Sequence, residues 1–158
     1  MQEIRPCLWF DTEAEEAANL YTSIFPNSKI TEISHYPDGG PRPAGTVLAV
    51  SFVLDGREFV GLNGGPEFTF DEAISFQVPC DSQNELDEYW DKLLAGGGQP
   101  GPCGWLKDKF GVSWQVFPSE LLTLLSDPDQ GRASRAMAAM MQQGKIDLAA
   151  IKHAADEG

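Results

Sequence analysis

The chain repeats itself. At a constant spacing of 68 positions, Leu8 meets Phe76, Phe10 meets Val78, Ala18 meets Leu86, Tyr21 meets Tyr89 and Phe25 meets Leu93. These are positions that a strand and a helix need in order to pack on each other, and the surrounding elements run in the same order twice. Self-similarity of this kind marks duplication of one supersecondary unit. Any fold proposed for the first half must therefore serve the second.

In the first copy, Ile4 to Phe10 reads as a strand. Asp11 or Thr12 then caps a helix with Glu13, Glu15 and Glu16 in its first turns, where negative charge suits the helix dipole. Ala14, Ala17, Ala18, Tyr21 and Phe25 share one face of it. Lys29 to Tyr36 is a strand, the Pro- and Gly-rich stretch 37–43 a loop, and Thr46 to Leu54 a further strand. Asp55-Gly56 signals a hairpin that returns through Glu58 to Asn63.

In the second copy, Ala73 to Val78 is a strand. Asp81-Ser82 opens a helix carrying Leu86, Tyr89, Trp90 and Leu93, and Gly96-Gly97-Gly98 stops it. Two short strands lie between Gln99 and Phe110, and Val112 to Phe117 is the last. The sequence thus predicts an α+β fold of two tandem β-α-β-β-β modules, at 1–64 and 72–118. A helical tail at 119–158 carries Met137, Met140 and Met141 on one side.

Composition narrows the partners. The formal net charge is -13, which repels nucleic-acid phosphates and anionic membranes. No apolar run approaches the roughly 18 residues of a membrane span. Met1-Gln2-Glu3-Ile4-Arg5 lacks the apolar stretch of a secretory signal. Cys7, Cys80 and Cys103 are odd in number and widely spaced, as suits a reducing compartment. The expected location is cytoplasmic.

Particular stretches resemble a known family. Pro6-Cys7-Leu8-Trp9-Phe10-Asp11, the helix from Glu16-Ala17-Ala18 to Tyr21, and Phe25-Pro26-Asn27-Ser28 carry the likeness in the first copy. Ala73 to Val78 and the run from Cys103-Gly104-Trp105-Leu106-Lys107-Asp108 through Gln115 carry it in the second. On these residues the chain resembles the PhnB-like branch of the vicinal oxygen chelate (glyoxalase, bleomycin-resistance and dioxygenase) superfamily. Proteins of that branch are often labelled 3-demethylubiquinone-9 3-methyltransferases. The resemblance implies that each sheet curls around half of a cavity, with metal ligands on its first and last strands.

The helix-facing side of each strand should be apolar, which sets the registers. Leu8 and Phe10 then face the helix, and Arg5, Cys7 and Trp9 face the cavity. Ile74, Phe76 and Val78 face the second helix, and Ala73, Ser75 and Gln77 the cavity. In the last strand Ser113, Gln115 and Phe117 point inward. The ligand positions that the resemblance implies fall on Arg5, Ala73 and Gln115, with the fourth in Phe59 to Asn63, where only Asn63 has a donor atom. Arg is a permanent cation and Ala has no donor, whereas a divalent site needs several carboxylates or imidazoles. No metal and no cofactor are expected. S-adenosylmethionine usually calls for a doubly wound sheet with a Gly-rich first turn, and none is present.

The expected function is metal-free binding of a small, partly aromatic molecule in the cavity between the modules. Gln77, Gln115 and Asn63 would be its polar hooks and Trp9 and Trp105 its flat walls, with Arg5 and Cys7 on the same face. A buried amide serves equally well as a structural bridge, so both readings of the Gln side chains stand. Cys103 reads as an inert thiol, and Asp108 with Lys109 as a turn-forming pair. The alternative is an enzyme of lyase or isomerase type on the same cavity, metal-dependent or not, or the methyltransferase of the family label. A homodimer is expected, because open sheet edges and the Met stripe need cover.

Overall fold

Each repeat builds one four-stranded sheet with a helix laid across one face. The computed structural model describes residues 1–158, and they divide into two units, Met1–Phe70 and Asp71–Gly158.

In the first unit the order along the chain is β1 (Cys7–Phe10), α1 (Ala14–Ile24), β2 (Lys29–His35), β3 (Val47–Leu54) and β4 (Arg57–Asn63). The sheet order is β1-β4-β3-β2. β1 runs parallel to β4, and the β3–β4 hairpin turns on Asp55 (φ 48°) and Gly56 (φ 78°). Positive φ at both central positions is the turn whose twist matches the strands it joins. Leu8, Phe10, Val50, Phe52 and Phe59 are buried together with Ala14, Ala17, Ala18 and Tyr21 of α1. Gly61 lets α1 lie close to the sheet: a methyl there would stand 3.2 Å from the Ala14 Cβ.

The second unit has β5 (Ser75–Cys80), α2 (Gln83–Leu94), β6 (Gln99–Pro100), β7 (Trp105–Lys107) and β8 (Ser113–Pro118), in sheet order β5-β8-β7-β6. Its edge hairpin is truncated: β6 and β7 have 2 and 3 residues, where β2 and β3 have 7 and 8. The tail forms α3 (Ser119–Leu125), α4 (Gln130–Met140) and α5 (Leu148–Asp156) in the same unit. Gln83 fastens α2 to the tail, its amide donating to the Ile146 carbonyl at 2.8 Å and accepting from the Leu148 N–H at 3.1 Å. Cys103 and Gly104 donate their N–H groups to the carbonyls of Gln143 and Gly144, both at 2.8 Å.

Three local expectations change. β1 begins at Cys7, and Ile4 is solvent-exposed, because Pro6 can offer the ladder only its carbonyl, which Val60 N–H reaches at 3.0 Å. Neither Asp11 nor Thr12 caps α1; the N-cap is Glu13, without a side-chain bond, and the Asn63 amide oxygen takes the Ala14 N–H at 2.9 Å. β5 begins at Ser75, so Ile74 lies outside the sheet and is exposed instead of packing on α2. The tail buries Ala136, Ile146, Ile151 and Ala155 and leaves Met137 and Met141 exposed. By contrast α2 starts as read, with the Ser82 hydroxyl accepting from Glu85 N–H at 3.1 Å.

Candidate functional site

The face of the second sheet turned away from α2 carries two rows of side chains. Ladder register sets them: Ser75 lies beside Ser113 and Ser113 opposite Lys107, while Gln77 lies beside Gln115 and Gln115 opposite Trp105. Alternation along each strand puts all six on one face. Their neighbours Phe76, Val78, Leu106, Trp114 and Val116 turn to the other side, where Phe76 and Trp114 rings meet at 5.4 Å.

A cavity of about 440 Å³ opens over this face, lined by Glu72, Pro100, Pro102, Trp105, Lys107 and Ser113 among others. Its lining is apolar with few polar groups, the usual make-up of a small-molecule site. Lys107 is ion-paired with Glu72 at the rim. That ammonium, by its hydrogen bond and its charge, holds the Glu72 carboxyl below the usual range. Gln115 donates its amide N–H to the Ser75 hydroxyl at 2.8 Å.

Ser113 is different. It is 1% exposed, and its hydroxyl has no hydrogen-bond partner, alone among buried side-chain polar atoms. Leaving a buried hydroxyl unpaired costs about 1–3 kcal/mol. Folding alone gives no return for that cost.

The structure brings together Trp105, Gln77 and Gln115 of the residues singled out from sequence. Arg5, Cys7, Trp9 and Asn63 belong to the first unit. There Trp9 donates its indole N–H to the Gly65 carbonyl at 2.9 Å and meets Phe68 edge-on at 5.0 Å. A methyl on Gly64 would collide with the Trp9 ring. Cys7 and Trp9 share the face opposite α1, and Arg5 pairs with Glu58 at 3.4 Å. Burial raises the Cys7 thiol pKa, partly offset by the Arg5 charge. Asn63 lies on the helix side: one end of its amide takes the Ala14 N–H and the other donates to the Val47 carbonyl at 3.1 Å. Its own carbonyl accepts from the Tyr36 hydroxyl at 2.6 Å. Asn63 therefore ties α1, β3 and the residue after β2 together.

Sequence reading turned Ser113 inward without giving it a role in the site, and did not single out Lys107 or Glu72. The signal available was the alternation Trp105-Leu106-Lys107, with its two polar-capable ends on one face. Asp108 forms the turn that its sequence reading called for, and its bond to the Trp114 indole is the part that spacing did not reveal. The buried Asp108 carboxylate accepts from the N–H groups of Phe110 and Val112 and from the Trp114 indole, at 2.9, 3.0 and 2.9 Å. It holds the β7–β8 turn. Burial pushes the Cys80 thiol up to about 12, with Glu85 and Asp81 adding to the effect, so it stays protonated at neutral pH.

Three of the positions at which the resemblance implies metal ligands hold Arg5, Ala73 and Gln115, and the fourth falls in Phe59 to Asn63, where the one donor side chain, Asn63, is spent on Ala14 and Val47. Nowhere do three His, Cys, Asp or Glu side chains converge. This donor set does not fit a divalent ion. S-adenosylmethionine fits no better. The turns from β1 into α1 and from β5 into α2 are Asp11-Thr12-Glu13 and Asp81-Ser82, acidic and without glycine. No helix is long and apolar enough to cross a membrane.

The family described as 3-demethylubiquinone-9 3-methyltransferase matches residues 2–117. A PhnB protein of Bacillus cereus bearing the same description is 40% identical, with 73% of this chain and 99% of that one covered and a TM-score of 0.64. A Pseudomonas aeruginosa protein is 20% identical over 75% of this chain and 98% of that one, at a TM-score of 0.59. The fosfomycin resistance protein FosX of Mesorhizobium loti shares the fold at 10% identity and a TM-score of 0.53, with 75% and 90% covered. No curated protein matches. On these grounds the chain belongs to the 3-demethylubiquinone-9 3-methyltransferase family, the PhnB-like branch of the vicinal oxygen chelate superfamily.

Proposed function

We propose that the chain binds a small, partly aromatic molecule without a metal, on the open face of the second module. The observation that carries this reading is the unpartnered Ser113 hydroxyl in the wall of a cavity whose surface is mostly apolar and whose other polar side chains are Glu72, Gln99 and Lys107. Trp105 supplies a flat wall, and Gln115 and Gln77 supply amides beside it. The absence of a converging carboxylate or imidazole set supports the metal-free part. The acidic, glycine-free turns into α1 and α2 disfavour the methyltransferase named in the family description, because the transfer needs a nucleotide-bearing donor and these turns offer it no cradle.

The test is a thermal-shift screen of small ring compounds, run with and without chelator on protein of known metal content. Hits should survive chelation. Stoichiometric metal whose removal abolishes binding would overturn the reading. In Gln115→Ala, loss of one hydrogen bond should weaken the best hit by about tenfold. Its melting temperature should stay close to wild type, because the Gln115–Ser75 bond is only part-buried. Unchanged binding with a large fall in melting temperature would make Gln115 a structural bridge. A homodimer belongs to the same proposal, supported by the apolar Leu122, Met137 and Met141 left exposed on the tail. Light scattering that finds only monomer at micromolar concentrations would remove it.

A further inference from the structure

We infer that the ligand of the second-module pocket is a planar aromatic carboxylate, its anionic end held by Ser113 and Lys107 and its ring laid on Trp105. This rests on the small-molecule reading above and names the chemistry of the ligand.

The inference starts from the ladder. Ser113 and Lys107 are directly opposed across an antiparallel pair, which brings their Cβ atoms to about 4.5–5.5 Å. The Ser113 hydroxyl has a proton to give and nothing to receive it. The Lys107 ammonium has three donors and accepts nothing. Two donors at opposed positions on one face can share an acceptor, and the positive charge on one of them calls for an anionic acceptor. A carboxylate offers two oxygens, one for each.

The second requirement comes from the strand. Trp105 precedes Lys107 by two residues on the same face, so about 7 Å separates them along β7. That is the length scale of one benzene ring bearing a carboxylate. Pro100 and Pro102, which line the same cavity, carry no N–H donor. This wall therefore suits a flat apolar body, with the Gln115 amide opposite Trp105 and Gln99 opposite Lys107 as the nearest further polar groups.

The Ser113 hydroxyl is closed from solvent, so some side chain must move before a ligand can reach it. Lys107, its cross-strand neighbour, is 38% exposed and ion-paired with Glu72, itself 60% exposed. Exposed pairs of this kind are weak. A ligand carboxylate takes the place of Glu72 on the ammonium, and the Lys107 side chain swings to meet it. Glu72 thus competes with the ligand: it neutralises Lys107 in the empty pocket and opposes binding of an anion.

The experiment uses the full chain and three probes of one shape and different charge: benzoate, benzamide and benzylamine. Binding is followed by ligand-observed NMR, with tryptophan fluorescence as a second readout. Benzoate should bind with millimolar affinity, as expected for about nine heavy atoms, and at least fivefold more tightly than the other two. Ser113→Ala and Lys107→Met should each weaken benzoate about fivefold or more. Glu72→Gln, at an exposed position that leaves the fold intact, should strengthen it two- to threefold. A purely structural Lys107–Glu72 pair would give no such gain.

Benzamide or benzylamine binding as tightly as benzoate would overturn the carboxylate assignment and leave the binding reading standing. Benzoate binding equally to wild type, Lys107→Met and Glu72→Gln would place it elsewhere and overturn the assignment. If none of the three probes bound, and a wider set of neutral rings failed as well, the small-molecule reading itself would fall.

Discussion

Replacing Asp108 by Ala should cost about 3–5 kcal/mol of stability, measured by denaturant unfolding with tryptophan fluorescence, since three donors lose their acceptor and each orphaned donor costs about 1–3 kcal/mol. Those donors are the N–H groups of Phe110 and Val112 and the Trp114 indole. They all belong to the β7–β8 turn or to β8, so the damage falls on the strand that carries Ser113 and Gln115. Asp108→Asn keeps one acceptor oxygen and turns an amide N–H toward a donor, so its loss should be intermediate. A variant with wild-type stability would show that the turn stands without this carboxylate.

Gly104→Ala should be comparably damaging, at about 3 kcal/mol or more, because two effects add. The backbone sits at φ 83°, which a Cβ disfavours, and that Cβ would lie 2.7 Å from the Val116 carbonyl oxygen and 3.1 Å from Ile146 Cγ1. A carbonyl in a central strand cannot give way. Gly104 also donates to the Gly144 carbonyl and accepts from Val116 N–H, so strain there loosens the tail from the sheet. Limited proteolysis should cut within 126–158 sooner than in wild type. Gly111→Ala is the control: its φ is 90°, but nothing lies within 4 Å of the added methyl. It should lose only the backbone contribution of about 1 kcal/mol. Equal losses in the two variants would remove the packing part of the argument.

Periodicity made much of this architecture legible. Ala18 and Leu86 are both buried where the 68-residue spacing pairs α1 with α2, and Asp55-Gly56 makes the hairpin its residues call for. Signals that depend on one distant group were not legible. Asp11 and Thr12 look like caps, but the first amide of α1 is taken by Asn63, 49 positions away. Ile74 looks like core by alternation, yet the β5 ladder starts one residue later. At the candidate site, strand register put Gln77, Gln115, Ser75 and Ser113 on one face. Composition could not show which of them lacked a partner. Gln115 and Ser75 satisfy each other, and Ser113 does not. That distinction depends on where every neighbouring donor and acceptor comes to rest.

The parallel pairing of β1 with β4 sets an order of assembly. Cys7 meets Val60 and Phe10 meets Asn63 across 53 intervening steps of chain, whereas β3 and β4 are joined by a two-residue turn. Closing a long loop before its contacts form is entropically slow, and a short hairpin is fast. On the ribosome β1 is made first and must wait for its partner until residues 57–63 have emerged. During that interval Leu8, Trp9 and Phe10 have no strand beside them. The first strand of this sheet to be synthesised is therefore the last to find its place in it, and its apolar side chains stay uncovered while translation proceeds.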